Sequence, residues 1–212
     1  MIVLGLTGSI GMGKSTASAM FRSLGVPVFD SDAAVHKVMA AGGAAVSRIE
    51  ETFPGTKAAD GGVDRQKLGA AVFGNPVELR KLEGIVHPLV RRQQVKFRQR
   101  AKAARTPLIV IDVPLLFETG GERNCDATCV VSAPGFVQAQ RVLARPGMTP
   151  DKFRDILNQQ VPDAQKRRRA DFVVPMGAGK NFALRRVQEI VRRLNNKPLP
   201  RRRATTGKQR HA

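Results

Sequence analysis

Eight residues near the amino end limit what this chain can become more than any other stretch. Gly8-Ser9-Ile10-Gly11-Met12-Gly13-Lys14-Ser15 matches G-x-x-x-x-G-K-[ST] in full. The loop follows residues 2–6, an apolar run rich in branched side chains that predicts a strand buried on both faces of a parallel sheet. It opens into a helical pattern carried by Ala17, Met20 and Phe21 and stopped at Gly25. Glycines in such a loop reach backbone angles closed to other residues, so successive amides converge on phosphate oxygens, and the helix behind adds the positive end of its dipole. Lys14 is suited to offset charge on β- and γ-phosphates, and the Ser15 hydroxyl to ligate Mg²⁺. A strand, a phosphate loop and a helix in that order predict a nucleoside triphosphate site, without saying what receives the phosphoryl group.

The rest of the chain alternates in the same way. Residues 26–29, 108–111, 127–131 and 172–174 read as further strands, making about five and an α/β fold with a parallel sheet flanked by helices. Between the second and third strands the pattern is mainly helical, over 33–41, 44–53, 64–73 and 76–103, the last with a kink expected near Pro88. That block is too large for one crossover, so residues 33–105 are expected to form a helical subdomain, with 54–62 as a surface loop. Residues 136–144 read as helix. Thr149-Pro150 supplies an N-cap and a first-turn proline for a polar segment running to 169. Residues 195–212, basic and without an apolar period, read as a disordered tail.

Composition narrows the partners. Lys plus Arg number 36 against 17 for Asp plus Glu, a net charge of +19 that favours polyanions: nucleotides, nucleic acid or acidic surfaces. The absence of Trp and Tyr leaves only the 10 Phe for stacking and weakens the case for an aromatic platform that binds single-stranded nucleic acid. The 2 cysteines, Cys125 and Cys129, are too few for a disulfide scaffold or a zinc site and read as core fillers. The first residues lack a basic leader, and no apolar run approaches the ~18 residues of a bilayer span, so a reducing cytoplasm is expected.

Two sets of carboxylates bear on the chemistry. Asp112, at the end of the apolar run 108–111, stands where a carboxylate holds magnesium through water; a turn or capping aspartate is the plainer reading. A hydroxyl acceptor needs a carboxylate to orient it and take its proton, and Asp30 and Asp32 are the candidates. At i, i+2 they point differently, so one addresses the acceptor while the other caps the next helix, or both cap it; spacing does not choose.

Taken together the motifs resemble a known family. Thr7-Gly8-Ser9-Ile10-Gly11-Met12-Gly13-Lys14-Ser15-Thr16, Phe29-Asp30-Ser31-Asp32, Leu82-Glu83 with His87-Pro88, Asp112-Val113-Pro114-Leu115-Leu116-Phe117-Glu118, and Gln160-x-Pro162 with Lys166-Arg167-x-x-Ala170-Asp171 follow the order seen in dephospho-coenzyme A kinases. The likeness spans roughly residues 1–194. It implies a P-loop kinase fold with a helical acceptor-binding subdomain and a lid over about 141–169. It also implies transfer of a phosphoryl group from ATP, with Mg²⁺, to the ribose 3′-hydroxyl of dephospho-coenzyme A.

By position the resemblance makes Asp32 the catalytic carboxylate, Lys14 the phosphate-loop lysine and Arg141 a lid-side arginine reaching the phosphates. Gly8, Gly11, Met12, Gly13, Ser15 and Thr16 then complete the ATP cradle, with Ser15 on Mg²⁺ directly and Asp112 through water. Arg145, at i+4 from Arg141, is expected on the same helix face; the plain alternative for both is a solvated basic face. His87 takes a structural or acceptor-contact role, and Leu115 and Glu118 line the acceptor pocket, with Leu116 and Phe117 packing nearby. His36, four residues beyond Asp32, belongs either to the same site or to a polar helix surface. Met176 stands where many relatives carry an asparagine near adenine, so Gly177 and its neighbours contribute main chain there. ATP and dephospho-coenzyme A are thus the expected partners, with nucleic acid limited to weak contact by the basic tail. Two other readings stay open: a kinase of the same architecture acting on a nucleotide or shikimate-like acceptor, and a nucleic-acid-associated nucleotide hydrolase.

Overall fold

The structure, a computed structural model, describes residues 1–196. Two compact units emerge, one made of Met1–Val28 with Arg105 onward, the other of Phe29–Ala104.

The first unit carries the sheet apart from Phe29 and Asp30 of its edge strand. Strands β1 (Ile2–Thr7), β2 (Val28–Asp30), β3 (Leu108–Asp112), β4 (Ala127–Ser132) and β5 (Phe172–Pro175) lie in the order β2-β3-β1-β4-β5. β1 pairs in parallel with β3 on one side and β4 on the other, and β4 pairs in parallel with β5. β3 and β4 are buried at every position, as continuous apolar runs predict for a sheet covered on both faces. Helix α1 (Lys14–Ser23) follows the phosphate loop and buries Ala17 and Phe21 against Leu4, Leu6, Val110 and Val131. The last helix, α9 (Lys180–Asn196), adds Ala183, Val187, Ile190 and Leu194 to that core. Asn195 and Asn196 are therefore helical, which moves the expected start of the tail; residues 197–212 lie outside the described residues. Cys125 and Cys129 are buried core residues, and burial pushes the Cys129 thiol up to about 12.

Between β4 and β5 run α6 (Gly135–Leu143), α7 (Pro150–Asn158) and α8 (Asp163–Arg169). The polar segment expected from 149 to 169 is thus two helices: Pro162 biases Val161 away from helical angles, so no helix runs on from α7 into α8.

The second unit contains α2 (Ser31–Met39), α3 (Val46–Thr52), α4 (Arg65–Val72) and α5 (Pro76–Ala103) around a small core of Val38, Ile49, Phe53, Leu68, Ile85 and Val86. Asp64 caps α4 and Asn75 caps α5, each side chain accepting from two first-turn amides. Helix α5 continues through Pro88. Among the described residues no helix is long and apolar enough to cross a membrane.

Candidate active site

The phosphate loop sits at the carboxyl edge of β1, between two parallel neighbours, the position where open α/β sheets bind ligands. Its glycines are required by space as well as by backbone angle. Gly11 has φ +74 and Gly13, which caps α1, φ +93. A Cβ on Gly8 would lie 2.3 Å from Val131 Cγ2, and one on Gly11 would lie 2.5 Å from Val142 Cγ2. Met12 is buried, its sulfur accepting from the Ala133 amide at 3.0 Å. Ser15 stands exposed on the first turn of α1, with Thr16 half-buried beside it.

The register that pairs Leu6 with Asp112 brings Asp112 under this loop. Asp112 is 2% exposed; its Oδ1 lies 2.6 Å from Lys14 Nζ and its Oδ2 accepts from the Ser18 hydroxyl. This carboxylate is therefore no turn or capping residue: it meets the phosphate-loop lysine from a neighbouring strand. The pair keeps the Lys14 ammonium at the loop with its charge compensated.

Two glutamines hold the crown of the loop from opposite sides. Gln160 Oε1 accepts from the Ile10 amide at 3.1 Å, and Gln138 Nε2 donates to the Ile10 carbonyl at 2.8 Å. Sequence reasoning assigned neither a role. The only signal was their place in Gln138-x-x-Arg141 and Gln160-x-Pro162. Arg141, on α6, donates through Nη2 to the Met176 carbonyl at 2.9 Å and reaches the Gly11 carbonyl at 3.5 Å, which brings its guanidinium to the loop.

Arg145 is a correction. Helix α6 ends at Leu143, so Arg145 lies in the turn beyond it and not on the helical face of Arg141. Pro146 supplies the reason, since the residue before a proline is driven from helical angles. Gly177 lines a cavity of about 380 Å³ with Ser132, Pro134, Arg167, Pro175 and Ala178. Met176 itself is buried, packed over Gly13 with its carbonyl on Arg141, so its side chain supports the loop from below.

The segment after Asp112 turns partly inward. Leu116 and Phe117 are buried, whereas Leu115 is 41% exposed. Glu118 points to α8, where its Oε1 accepts from the Val161 amide at 2.9 Å and lies 2.8 Å from Nζ of the fully buried Lys166. Burial works to raise the Glu118 carboxyl, but Lys166 and the amide of Val161 outweigh it and hold the group below the usual glutamate value.

In the helical unit, the question left open by the Asp30–Asp32 spacing has a direct answer for one of the two. The Asp30 side chain caps α2, accepting from the Ala33 amide at 2.9 Å. Asp32 occupies the exposed first turn of the same helix. His36 is one turn further along and takes part in a contact with Arg65. His87 is exposed on α5.

A phosphate loop on a five-stranded parallel sheet, with a lysine held by a strand-end carboxylate and an arginine at the loop backbone, defines a P-loop kinase. Residues 2–180 match the family model described as dephospho-CoA kinase. A dephospho-CoA kinase of Paramagnetospirillum magneticum is 59% identical over 167 residues, covering 79% of this chain and 78% of its own length. One from Brucella melitensis is 51% identical over 198 residues, 93% of this chain and 98% of its own. Among solved structures, TT1252 from Thermus thermophilus superposes with a TM-score of 0.80 at 35% identity, over 91% of this chain and 96% of that one. The chain belongs to the dephospho-CoA kinase family.

Proposed function

We infer that this chain transfers the γ-phosphoryl group of ATP to the ribose 3′-hydroxyl of dephospho-coenzyme A, the step that completes coenzyme A. Family membership fixes the reaction class, and one observation carries the assignment of machinery: the Lys14–Asp112 pair at 2.6 Å beneath a loop whose glycines admit no side chains. In the transfer, the bond from O3′ to the γ-phosphorus forms, the bond from that phosphorus to the β–γ bridging oxygen breaks, and ADP leaves. Asp32 orients the hydroxyl and accepts its proton. Lys14 exchanges Asp112 for phosphate oxygens, and Arg141 faces the charge spread over the transferring group, for which a planar guanidinium is well shaped.

The residues present fit Mg²⁺. The donors at the loop, the exposed Ser15 hydroxyl and the Asp112 carboxylate, are hard oxygens, as suits an ion that keeps waters and takes the rest of its shell from phosphate. Ser15 would hold it directly and Asp112 through water, and the ion would neutralise phosphate charge when bound. The cavity beside Gly177 is the place for the adenine, with main chain and Arg167 around it. Leu115 and His87 remain candidate acceptor contacts. Residues 141–169 act as a lid: α7 buries none of its side chains, as a segment that changes position requires. Phe29–Ala104 is the acceptor-binding part. With ATP and dephospho-coenzyme A as partners, the activity belongs in the cytoplasm, where two buried cysteines outside any disulfide are at home.

The test is an acceptor screen with ATP and Mg²⁺, reading ADP release. Dephospho-coenzyme A should drive turnover at least ~10²-fold above adenylate, shikimate or no acceptor. Equal release with shikimate, or release dependent on DNA or RNA, would replace this reading.

A further inference from the structure

A cleft of about 390 Å³ opens along the second half of α2, lined by His36, Lys37, Asp60 and Arg65 among others. Arg65, the first residue of α4, donates through Nη1 to His36 Nε2 at 3.0 Å, so the guanidinium is held over the cleft by a neutral acceptor instead of a carboxylate. Because no charge cancels it there, most of the guanidinium's planar donor fork stays available to an anion. Lys37 adds a second cation from the next position on α2. The one acid in the lining, Asp60, turns an oxygen onto the Gly62 amide at 2.8 Å, where it serves the loop. In the absence of ligand, Lys37 in the last turn of α2 also complements its carbonyl terminus.

Position gives this cleft its meaning. Asp32 and His36 are four residues apart on one helix, so they stand on one face about one turn, ~5–6 Å, from each other. In a nucleotide, the ribose 3′-hydroxyl and the 5′-diphosphate are separated by a comparable span across one sugar. We propose that the His36–Lys37–Arg65 cleft holds the diphosphate of the acceptor, so that α2 measures the distance from that diphosphate to the hydroxyl on Asp32. The inference rests on the reading of the acceptor given above. Arg65 and His36 are then binding and specificity residues: they select an acceptor that carries a 5′-diphosphate.

The test uses the full chain and steady-state kinetics with dephospho-coenzyme A, varying each substrate in turn. Arg65→Ala should raise KM for dephospho-coenzyme A by ~10-fold or more while KM for ATP stays within about twofold. Arg65→Lys should recover part of the loss, and His36→Ala, which frees the guanidinium, should have a smaller effect in the same direction. Because Arg65 is exposed and the α4 cap belongs to Asp64, the melting temperature should hardly move. An unchanged KM for dephospho-coenzyme A in the His36→Ala/Arg65→Ala double variant overturns the proposal, as does an equal rise in both KM values. Wild-type protein that leaves dephospho-coenzyme A unphosphorylated would instead overturn the underlying assignment of function, so the two failures are distinct.

Discussion

In the sheet unit the groups that bear on chemistry are buried and held by several partners, whereas in the helical unit they stand on exposed helix surfaces. Asp112 is 2% exposed and engages both Lys14 and Ser18; Ile10 is gripped at its amide and its carbonyl by two glutamines. Asp32, His36, Arg65 and His87 all lie on exposed helical positions. The difference follows from what each unit has to recognise. A triphosphate is read by backbone amides, which function only if the loop is fixed beforehand, so the sheet unit invests in preorganisation. On the assignment proposed above, the larger, flexible acceptor would be read in the helical unit by side chains that gain partners as it binds, which calls for reach more than rigidity.

That contrast can be broken at either end. The largest effect is expected from Lys14→Ala, which should cut turnover with any acceptor by ~10³-fold or more, measured as ADP formed per enzyme. Activity near wild type would mean that the preorganised lysine does not face phosphate. Next comes Asp32→Asn. Turnover should fall by ~10² or more while calorimetry shows nearly unchanged ATP affinity, because the change removes only proton transfer on the acceptor side. Gln160→Ala should act in the opposite sense, raising KM for ATP by up to about tenfold and leaving KM for the acceptor alone, since it loosens the Ile10 amide of the loop.

The smallest effect is one of stability. Glu118 is held below the glutamate value of 4.5, so its charged form stabilises the fold above that pH, and the contribution is lost as pH falls through and below it. Melting temperatures at about pH 6 and about pH 4 should therefore drop more for wild type than for Glu118→Gln. Equal drops would show that the Lys166 pair contributes nothing that depends on charge.

Much of the sheet unit was legible because its signals are local. The strand, the glycines and the Lys-Ser pair occupy fourteen consecutive positions or so, and the apolar runs at 108–111 and 127–131 announce buried strands. What stayed hidden depends on distant chain: the glutamines that grip Ile10 lie 150 and 128 residues away, and Glu118 finds Lys166 beyond β4, α6 and α7. Helix α9 went unread although Ala183, Val187, Ile190 and Leu194 fall at helical spacing, because the arginines between them mask an apolar stripe. The end of α6 before Arg145 was readable, since Pro146 announces it. Asp30 and Asp32 could not be separated by spacing; the hydrogen bond from the Ala33 amide identifies Asp30 as the cap. The helical unit was recognisable as a block, but its cleft needs Arg65 beside His36, 29 positions apart.

On the proposed function, a nucleotide held by the loop gives its terminal phosphoryl group to a sugar hydroxyl on the other substrate. Incubation with ATP, Mg²⁺ and dephospho-coenzyme A, followed by product mass and ³¹P NMR, tests it most directly. One added phosphate per acceptor, a monoester resonance coupled to the ribose 3′ proton, and one ADP for each product molecule are expected. ADP with free inorganic phosphate and unaltered acceptor, or a phosphate on another hydroxyl, would contradict it.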